Sequence, residues 1–163
     1  MLSVLVFDAE DPLELTLTLS SLVTGVVEGV LRDVVVVDPH GKDVLDVADH
    51  AGCSVRSLAE LRQSAAMLKG EWVLVLRAGG RLPGNWPERA AHHIENQLRE
   101  KAPRGGRFVL QVGDRAGWRR WFAARPNARL VPKAHLAKRL AAGVAIGKAA
   151  EGLPSERLRK RDD

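Results

Sequence analysis

Short apolar runs recur along the first part of the chain and are separated by segments with helical spacing. Leu2–Phe7 is apolar and ends at acidic residues, Val34–Val37 is a run of four valines between aspartates, and Trp72–Leu76 is a third run. Runs this short, rich in β-branched residues, are typical of strands that are buried on both faces. The pattern therefore predicts a parallel sheet that is covered by helices.

Helix-start signals accompany these runs. The leucines from Leu13 to Leu19 alternate as they would in a strand, but Asp11, Pro12 and Glu14 form a helix-capping pattern that favours a helix. Asp43 is predicted to cap a second helix that stops at Gly52, and Ser57 with Glu60 a third. Further strands are predicted over Cys53–Arg56 and Arg107–Val112, and further helices over Glu88–Lys101, Trp118–Ala124 and Ala134–Ala142.

Strands that alternate with helices at short spacing indicate βαβ units. We therefore expect an α/β fold with a mostly parallel, doubly wound sheet and helices on both faces. A length of 163 residues suits a single domain, which we place at residues 1–150. Residues 151–163 have no clear apolar face and are expected to form a basic, mobile tail.

The net charge of +5 conceals an uneven distribution. Residues 1–100 carry 9 basic and 15 acidic side chains, whereas residues 101–163 carry 16 basic and 5 acidic ones. The second part is thus expected to meet an anion, which a phosphate, a nucleic acid or an anionic membrane would supply. The alternative is a solvated basic face.

Several features exclude or weaken particular classes of site. A single cysteine, Cys53, supplies neither a disulfide nor a multi-cysteine metal site, and it is interpreted as a core residue. His92 and His93 are adjacent, so on a helix they point about 100° apart and do not share a metal; surface positions are expected for both. No secretory leader or spanning segment is evident, so a cytoplasmic protein is predicted.

An aromatic and basic stretch, Trp118–Arg129, allows three interpretations. Trp118, Trp121 and Phe122 share one helical face, which is typical of core packing. The alternative is a peripheral helix that contacts anionic lipid. Nucleic-acid binding ranks last, because no specific motif for it is present.

In a doubly wound sheet, ligands bind beyond the carboxyl ends of the strands. The residues to consider there are Asp8 and Glu10 after the first strand, Asp38 after the second, and Arg77–Gly80 after the fourth. Ala78-Gly79-Gly80 lacks the spacing of a phosphate-binding P-loop or of a dinucleotide fingerprint.

Four segments resemble the family 2 glycosyltransferases, which have the GT-A fold, a nucleotide-diphospho-sugar transferase-like architecture. These segments are LSVLVF, VVVVDPHGKD, GEWVLVLRAGGRLPGNW and, on the acceptor side, ARLVPKAHLAKRLAAG. Residues 1–90 carry most of the match. The resemblance implies transfer of a sugar from a nucleoside diphosphate donor to a hydroxyl acceptor that the sequence does not identify.

The resemblance also implies roles for individual residues at the donor site. Asp8 and Glu10 would lie near the uridine or ribose, Asp38 would accept a hydrogen bond from the base, and Asp43 would orient that turn. Phosphates would be held by Lys42 and by the turn that contains Arg77 and Gly79.

Two departures from the family set this chain apart as a short, degenerate member. The family's metal-binding turn has two carboxylates, whereas this chain has Leu76-Arg77-Ala78-Gly79-Gly80, so no divalent metal is expected. Arg77 is then predicted to bind the diphosphate directly, and loss of donor binding is the alternative. No catalytic residue is assigned, because only Glu151 and Glu156 lie between Gly143 and the terminal aspartates. An inactive binding or regulatory module is therefore the rival to an enzyme.

Overall fold

The computed structural model describes residues 1–112 and 127–158. The strands of this part are β1 (Leu2–Phe7), β2 (Leu31–Val37), β3 (Ser54–Arg56), β4 (Trp72–Arg77), β5 (Gly80–Arg81), β6 (Gly105–Val109), β7 (Gln111–Val112), β8 (Asn127–Pro132) and β9 (Ser155–Arg157). The helices are α1 (Pro12–Val27), α2 (Lys42–His50), α3 (Leu58–Ser64), α4 (Trp86–Gln97), α5 (Lys133–Ala141) and α6 (Ile146–Ala149), with a 3-10 turn at Ala65–Met67.

A seven-stranded sheet organises these elements in the order β3-β2-β1-β4-β8-β6-β9. β1 pairs in parallel with β2 and β4, and β2 with β3. β8 is antiparallel to both of its neighbours, so β6 and β9 again run in the direction of β1. The predicted fold class, a mostly parallel α/β sheet, is confirmed.

Helices cover both faces of the sheet, and each face has its own apolar core. On one face, alternate residues of β1 and β4 such as Val4 and Leu74 pack against α1, α2 and α4. On the other, Leu5 and Val75 pack against α3, α5 and α6. The valines of β2 divide between the faces, since Val36 belongs to the first core and its neighbours Val35 and Val37 to the second. This alternation follows from the two-residue repeat of a strand.

Two of the three predicted helix starts are confirmed in detail. The Asp11 carboxylate accepts hydrogen bonds from the backbone N–H groups of Leu13 (2.7 Å) and Glu14 (3.1 Å), and it caps α1. Ser57 and Glu60 form the expected reciprocal capping box of α3. These side chains accept bonds from N–H groups that the first helical turn leaves without intrahelical partners.

The prediction that Asp43 caps α2 was wrong. The cap position is Gly41, which has a φ of 92° and no side chain to bond the helix, and α2 starts at Lys42. Asp43 lies within the first turn instead, where its negative charge faces the positive end of the helix dipole.

Other elements also differ from the sequence prediction, and β5, α6 and β9 were not predicted. α4 begins at Trp86 rather than Glu88, the predicted strand over 107–112 is divided at Leu110 between β6 and β7, and β8 was not predicted. β7 pairs with β5 in a separate two-stranded sheet, so the chain changes sheets at Leu110. The helix predicted over Trp118–Ala124 lies outside the described residues.

The carboxyl-terminal segment contributes to the sheet. Ser155–Arg157 forms β9, which pairs with β6, and the following Leu158 is buried in the first core. β6 has an edge available for this pairing because β8 occupies only its other side. The division into residues 1–150 and a tail at 151–163 stays a prediction, and residues 159–163 lie outside the described part.

Candidate functional site

The strand order reverses at the carboxyl end of β1, and we call the space beyond the ends of β1 and β4 the crevice. From β1 the chain adds β2 and then β3 on one side, and it crosses to the other side of β1 to form β4. The order of the strands along the chain therefore changes direction between β1 and β4, although the helices that follow them, α1 and α4, cover the same face. A reversal of this kind opens the position at which doubly wound α/β proteins bind their ligands.

Asp8 and Arg77 meet at this crevice. Asp8 directly follows β1, and Arg77 is the last residue of β4. Arg77 Nη2 lies 2.8 Å from Asp8 Oδ2. The guanidinium carbon of Arg77 also lies 5.7 Å from the ring centroid of Phe7, within range of a cation–π contact. The side chains of Arg77 and Asp8 are 64% and 51% exposed, so solvent screens the ion pair and a competing anion can reach the arginine.

Asp38 directly follows the neighbouring strand β2 at the same edge. Its Oδ2 accepts a hydrogen bond from the backbone N–H of Leu58 at 3.0 Å, which ties β2 to the start of α3. The loops after β2 and β1 are also joined, because His40 N–H donates to the Ala9 carbonyl at 2.9 Å. One carboxylate oxygen of Asp38 thus has a structural partner that the sequence did not reveal.

Asp8 and Asp38 share an unusual backbone conformation. Their φ angles are 54° and 46°, and they are the two non-glycine residues with positive φ in the described part of the chain. Aspartate tolerates this left-handed region better than most residues, at some cost in free energy. Such conformations concentrate at functional sites.

The turn after β4 is fixed by a threonine that sequence analysis missed. Thr18 Oγ1, on α1, accepts a hydrogen bond from Gly79 N–H and donates one to the Gly80 carbonyl, both at 2.9 Å. Gly79 has a φ of 89°, and a Cβ there would lie 3.2 Å from Cδ of Glu14. Thr18 is an unremarkable residue within a helical pattern, so only its position opposite the glycines reveals this function.

The remaining predicted donor-site residues are exposed at the same edge. Glu10 follows β1, and Lys42 and Asp43 open α2 directly after β2. None of their side chains forms a hydrogen bond to another residue within 1–112 or 127–158. The structure therefore leaves them accessible, but it does not join them to Asp8 or Arg77.

The residues at this edge do not fit a divalent metal. Nowhere in the described ranges do three His, Cys, Asp or Glu side chains converge as a metal ion requires. The carboxylate at the end of β1 is paired with the Arg77 guanidinium, whose positive charge opposes a metal cation. No chemical step at this site is therefore assigned to a metal.

Both glutamates that remained as candidate bases have side-chain partners within the protein. Arg129 Nη2 lies 3.3 Å from Glu151 Oε1, and His93 Nδ1 lies 2.7 Å from Glu156 Oε1. The expectation of a surface position was wrong for His93. Its side chain is only 1% exposed, because it packs edge-on against Trp72, with ring centroids 5.7 Å apart.

Cys53 lies away from the carboxyl edge, in an apolar groove of about 500 Å³ between α1 and α2. Leu19, Val23 and Val47 are among its neighbours there. Burial raises the pKa of the Cys53 thiol, so the reactive thiolate is disfavoured. This environment agrees with the interpretation of Cys53 as a packing residue.

Of the stretch Trp118–Arg129, only residues 127–129 are described, and they belong to β8. Membrane contact through this stretch stays a prediction. Among the described helices, none has the length and apolar character needed to span a bilayer.

Comparison with solved structures identifies the architecture. The structure is similar to glucosyl-3-phosphoglycerate synthase from Mycobacterium tuberculosis, crystallised with Mn²⁺, UDP and glucosyl-3-phosphoglycerate. The TM-score is 0.57 at 15% identity, over 99% of this chain and 73% of that one. The fold is that of the GT-A-like nucleotide-sugar transferases.

Two further structures show the same fold. 4-Diphosphocytidyl-2C-methyl-D-erythritol synthase matches with a TM-score of 0.57 and 18% identity over 98% of this chain and 89% of that one. S. aureus TarS 1–349 matches with a TM-score of 0.50 and 17% identity over 66% of this chain and 34% of that one. No family model and no curated protein matches the sequence. At these identities the likeness establishes the fold alone.

Proposed function

We propose that this chain binds a nucleoside diphosphate sugar at the crevice between β1 and β4 and transfers the sugar to a hydroxyl acceptor. The observation that carries the proposal is the position of Asp8 and Arg77 at the point where the strand order reverses. Asp38 directly follows the adjacent strand, roughly 10 Å from Arg77 at two interstrand spacings. The GT-A-like fold supports the same ligand class.

The charges at the crevice suit the two ends of such a donor. Arg77 binds the diphosphate through its planar guanidinium, which pairs with two phosphate oxygens and leaves Asp8. Asp8, Glu10, Asp38 and Asp43 supply acceptors for ribose hydroxyl and base N–H groups. Lys42 contributes a second positive charge, and Thr18 holds the Gly79 turn in place at the end of β4.

Sugar transfer is then a nucleophilic substitution at the anomeric carbon of the bound donor. The acceptor oxygen forms a bond to the anomeric carbon of the sugar, the bond from that carbon to the diphosphate oxygen breaks, and the nucleoside diphosphate departs with the electron pair. The hydroxyl proton passes to a base, to which no residue is assigned here. Arg77 stabilises the negative charge that develops on the leaving diphosphate.

Calorimetric titration with UDP and GDP, with and without Mn²⁺, tests donor binding. We expect the nucleotide to bind without Mn²⁺, and Asp38→Asn, which preserves the φ of 46°, to weaken binding. Asp46→Asn, on the same connection but within α2, is the matched control. If neither UDP nor GDP binds, the proposal is wrong.

A second candidate is a GT-A-like module that binds nucleotide without transferring sugar. The contacts of Glu151 with Arg129 and of Glu156 with His93 favour it, because each carboxylate is held by another side chain and not presented at the crevice. Release of UDP from UDP-glucose in the presence of acceptor mixtures distinguishes the two. Nucleotide binding with no release under any condition would favour the module.

A further inference from the structure

Three arginines occupy directly opposed positions on three adjacent strands at the outer end of the sheet. Arg107 of β6 pairs in register with Arg129 of β8 and with Arg157 of β9. Residues paired in this way project from the same face of a sheet. We call Arg129, Arg107 and Arg157 the arginine row.

Such an arrangement costs stability unless anions compensate it, because like charges directly opposite each other repel. Within residues 1–112 and 127–158, Glu151 is the one carboxylate that lies within 4 Å of a guanidinium of the row, and it contacts only Arg129. Glu156, which lies on β9 beside Arg157, is held by His93 on the other face. Among the described residues, the row therefore carries more positive charge than these carboxylates compensate.

A fourth arginine lies near Arg157 but on the opposite face of the sheet, which α4 covers. Arg89 of α4 has its guanidinium carbon 5.1 Å from the centroid of the Phe108 ring. Burial, and after it the charge of Arg157, lowers the pKa of Arg89. Among the described residues, no hydrogen-bond acceptor reaches the buried Nε atoms of Arg89 and Arg107. Contacts within this part of the chain thus leave both Nε donors without a partner.

We propose that the arginine row is an anion-binding site for a phosphomonoester or diphosphate group. Guanidinium groups recognise phosphate through paired hydrogen bonds, which lysines at these positions would not supply as well. The row spans two interstrand spacings, roughly 10 Å, which suits one or two phosphate groups. A single-stranded nucleic acid occupies a longer track of several nucleotides.

The arginine row extends away from the donor crevice. Arg129 pairs with Val75 of β4, two residues before Arg77, whereas Arg107 and Arg157 lie two and three strands from Arg77. The proposal does not require glycosyl transfer, and variants of Arg107 and Arg157 test it separately from variants of Arg77.

Calorimetric titration of the full chain with pyrophosphate at constant ionic strength tests this site. We expect binding by the unmodified protein and roughly tenfold or greater weakening in Arg107→Gln and in Arg157→Gln, because each removes a charge-assisted hydrogen bond. Arg157 is exposed on an edge strand, so its variant reports on binding even where Arg107→Gln impairs folding. Arg99→Gln, an exposed arginine after α4, is the matched control and should leave affinity unchanged.

Three results would overturn the proposal: no pyrophosphate binding, binding that neither row variant weakens, or binding that Arg77→Gln abolishes while both row variants retain it. The last result would assign the anion to the donor crevice. A ten-nucleotide single strand that binds through the row more than tenfold tighter than pyrophosphate would also contradict a small phosphate ligand.

Vesicle binding distinguishes a lipid headgroup from a free phosphorylated compound as the ligand of this site. Sedimentation with phosphatidylglycerol vesicles that is lost in Arg157→Gln would identify a lipid headgroup. Pyrophosphate binding without vesicle binding would identify a free phosphorylated compound. Both results support a phosphate site at the arginine row.

Discussion

Arg77 lies 2.8 Å from Asp8, and this ion pair joins the ends of β4 and β1 where the strand order reverses. Asp8 also has a backbone φ of 54°. Its side-chain charge and its left-handed backbone conformation are two properties that different substitutions change. Substitutions at this one position can test each of them.

Asp8→Asn should change the free energy of unfolding by less than about 1 kcal/mol, because an exposed ion pair contributes little and asparagine tolerates the left-handed conformation. Asp8→Ala removes the same charge but should cost a further ~1 kcal/mol or more, since alanine is strained at positive φ. Urea denaturation measures both values. Equal stability of the two variants would show that the backbone at Asp8 is unstrained.

Arg77 is predicted to provide the main contact with a bound diphosphate. Arg77→Gln should weaken UDP binding about tenfold or more, and Arg77→Lys should weaken it less, because lysine retains the charge but not the paired hydrogen bonds. Arg32→Gln is the control, because Arg32 lies near the amino end of β2, away from the carboxyl ends of the strands. UDP affinity that is the same in the unmodified protein and Arg77→Gln would remove Arg77 from the donor site.

Gly70 should not tolerate a side chain. A Cβ at Gly70 would lie 2.3 Å from the backbone nitrogen of Ser3, so β1 would have to move. Gly70→Ala should therefore lower the free energy of unfolding by about 3 kcal/mol. Gly84, whose Cβ would meet no atom within 4 Å, provides the control, and Gly84→Ala should change stability by less than about 0.5 kcal/mol. Chemical denaturation of both variants measures the difference, and a mild effect at Gly70 would contradict the tight packing.

Cys53 should react slowly with iodoacetamide near neutral pH and rapidly after unfolding in urea, because burial raises its pKa in the folded protein. The same shift makes stability depend on pH. The stabilising contribution is complete below the unfolded value of 9.0 and is lost as the pH rises through the higher folded value.

Comparison with Cys53→Ala checks this dependence. The unmodified protein should lose more unfolding free energy than Cys53→Ala does between about pH 8 and pH 10, since alanine has no proton to release. Parallel pH profiles for the two proteins would exclude a contribution from the thiol.

The sequence by itself determined the fold class and most of the helix and strand positions. Apolar runs such as Val34–Val37 and the capping residues Asp11 and Ser57 act on their immediate neighbours, so local order suffices to predict them. Asp43 was misplaced because Gly41 adopts a backbone conformation that the residue pattern does not specify.

Only the tertiary structure decided which distant side chains meet. β8 was missed, because its pairing with β4 and β6 depends on long-range register rather than on local composition. The contact of Asp8 with Arg77, the hydrogen bonds of Thr18 with the glycine turn and the alignment of Arg107 with Arg129 and Arg157 arise in the same way. Each joins residues far apart in the chain, and strand order and register set their positions.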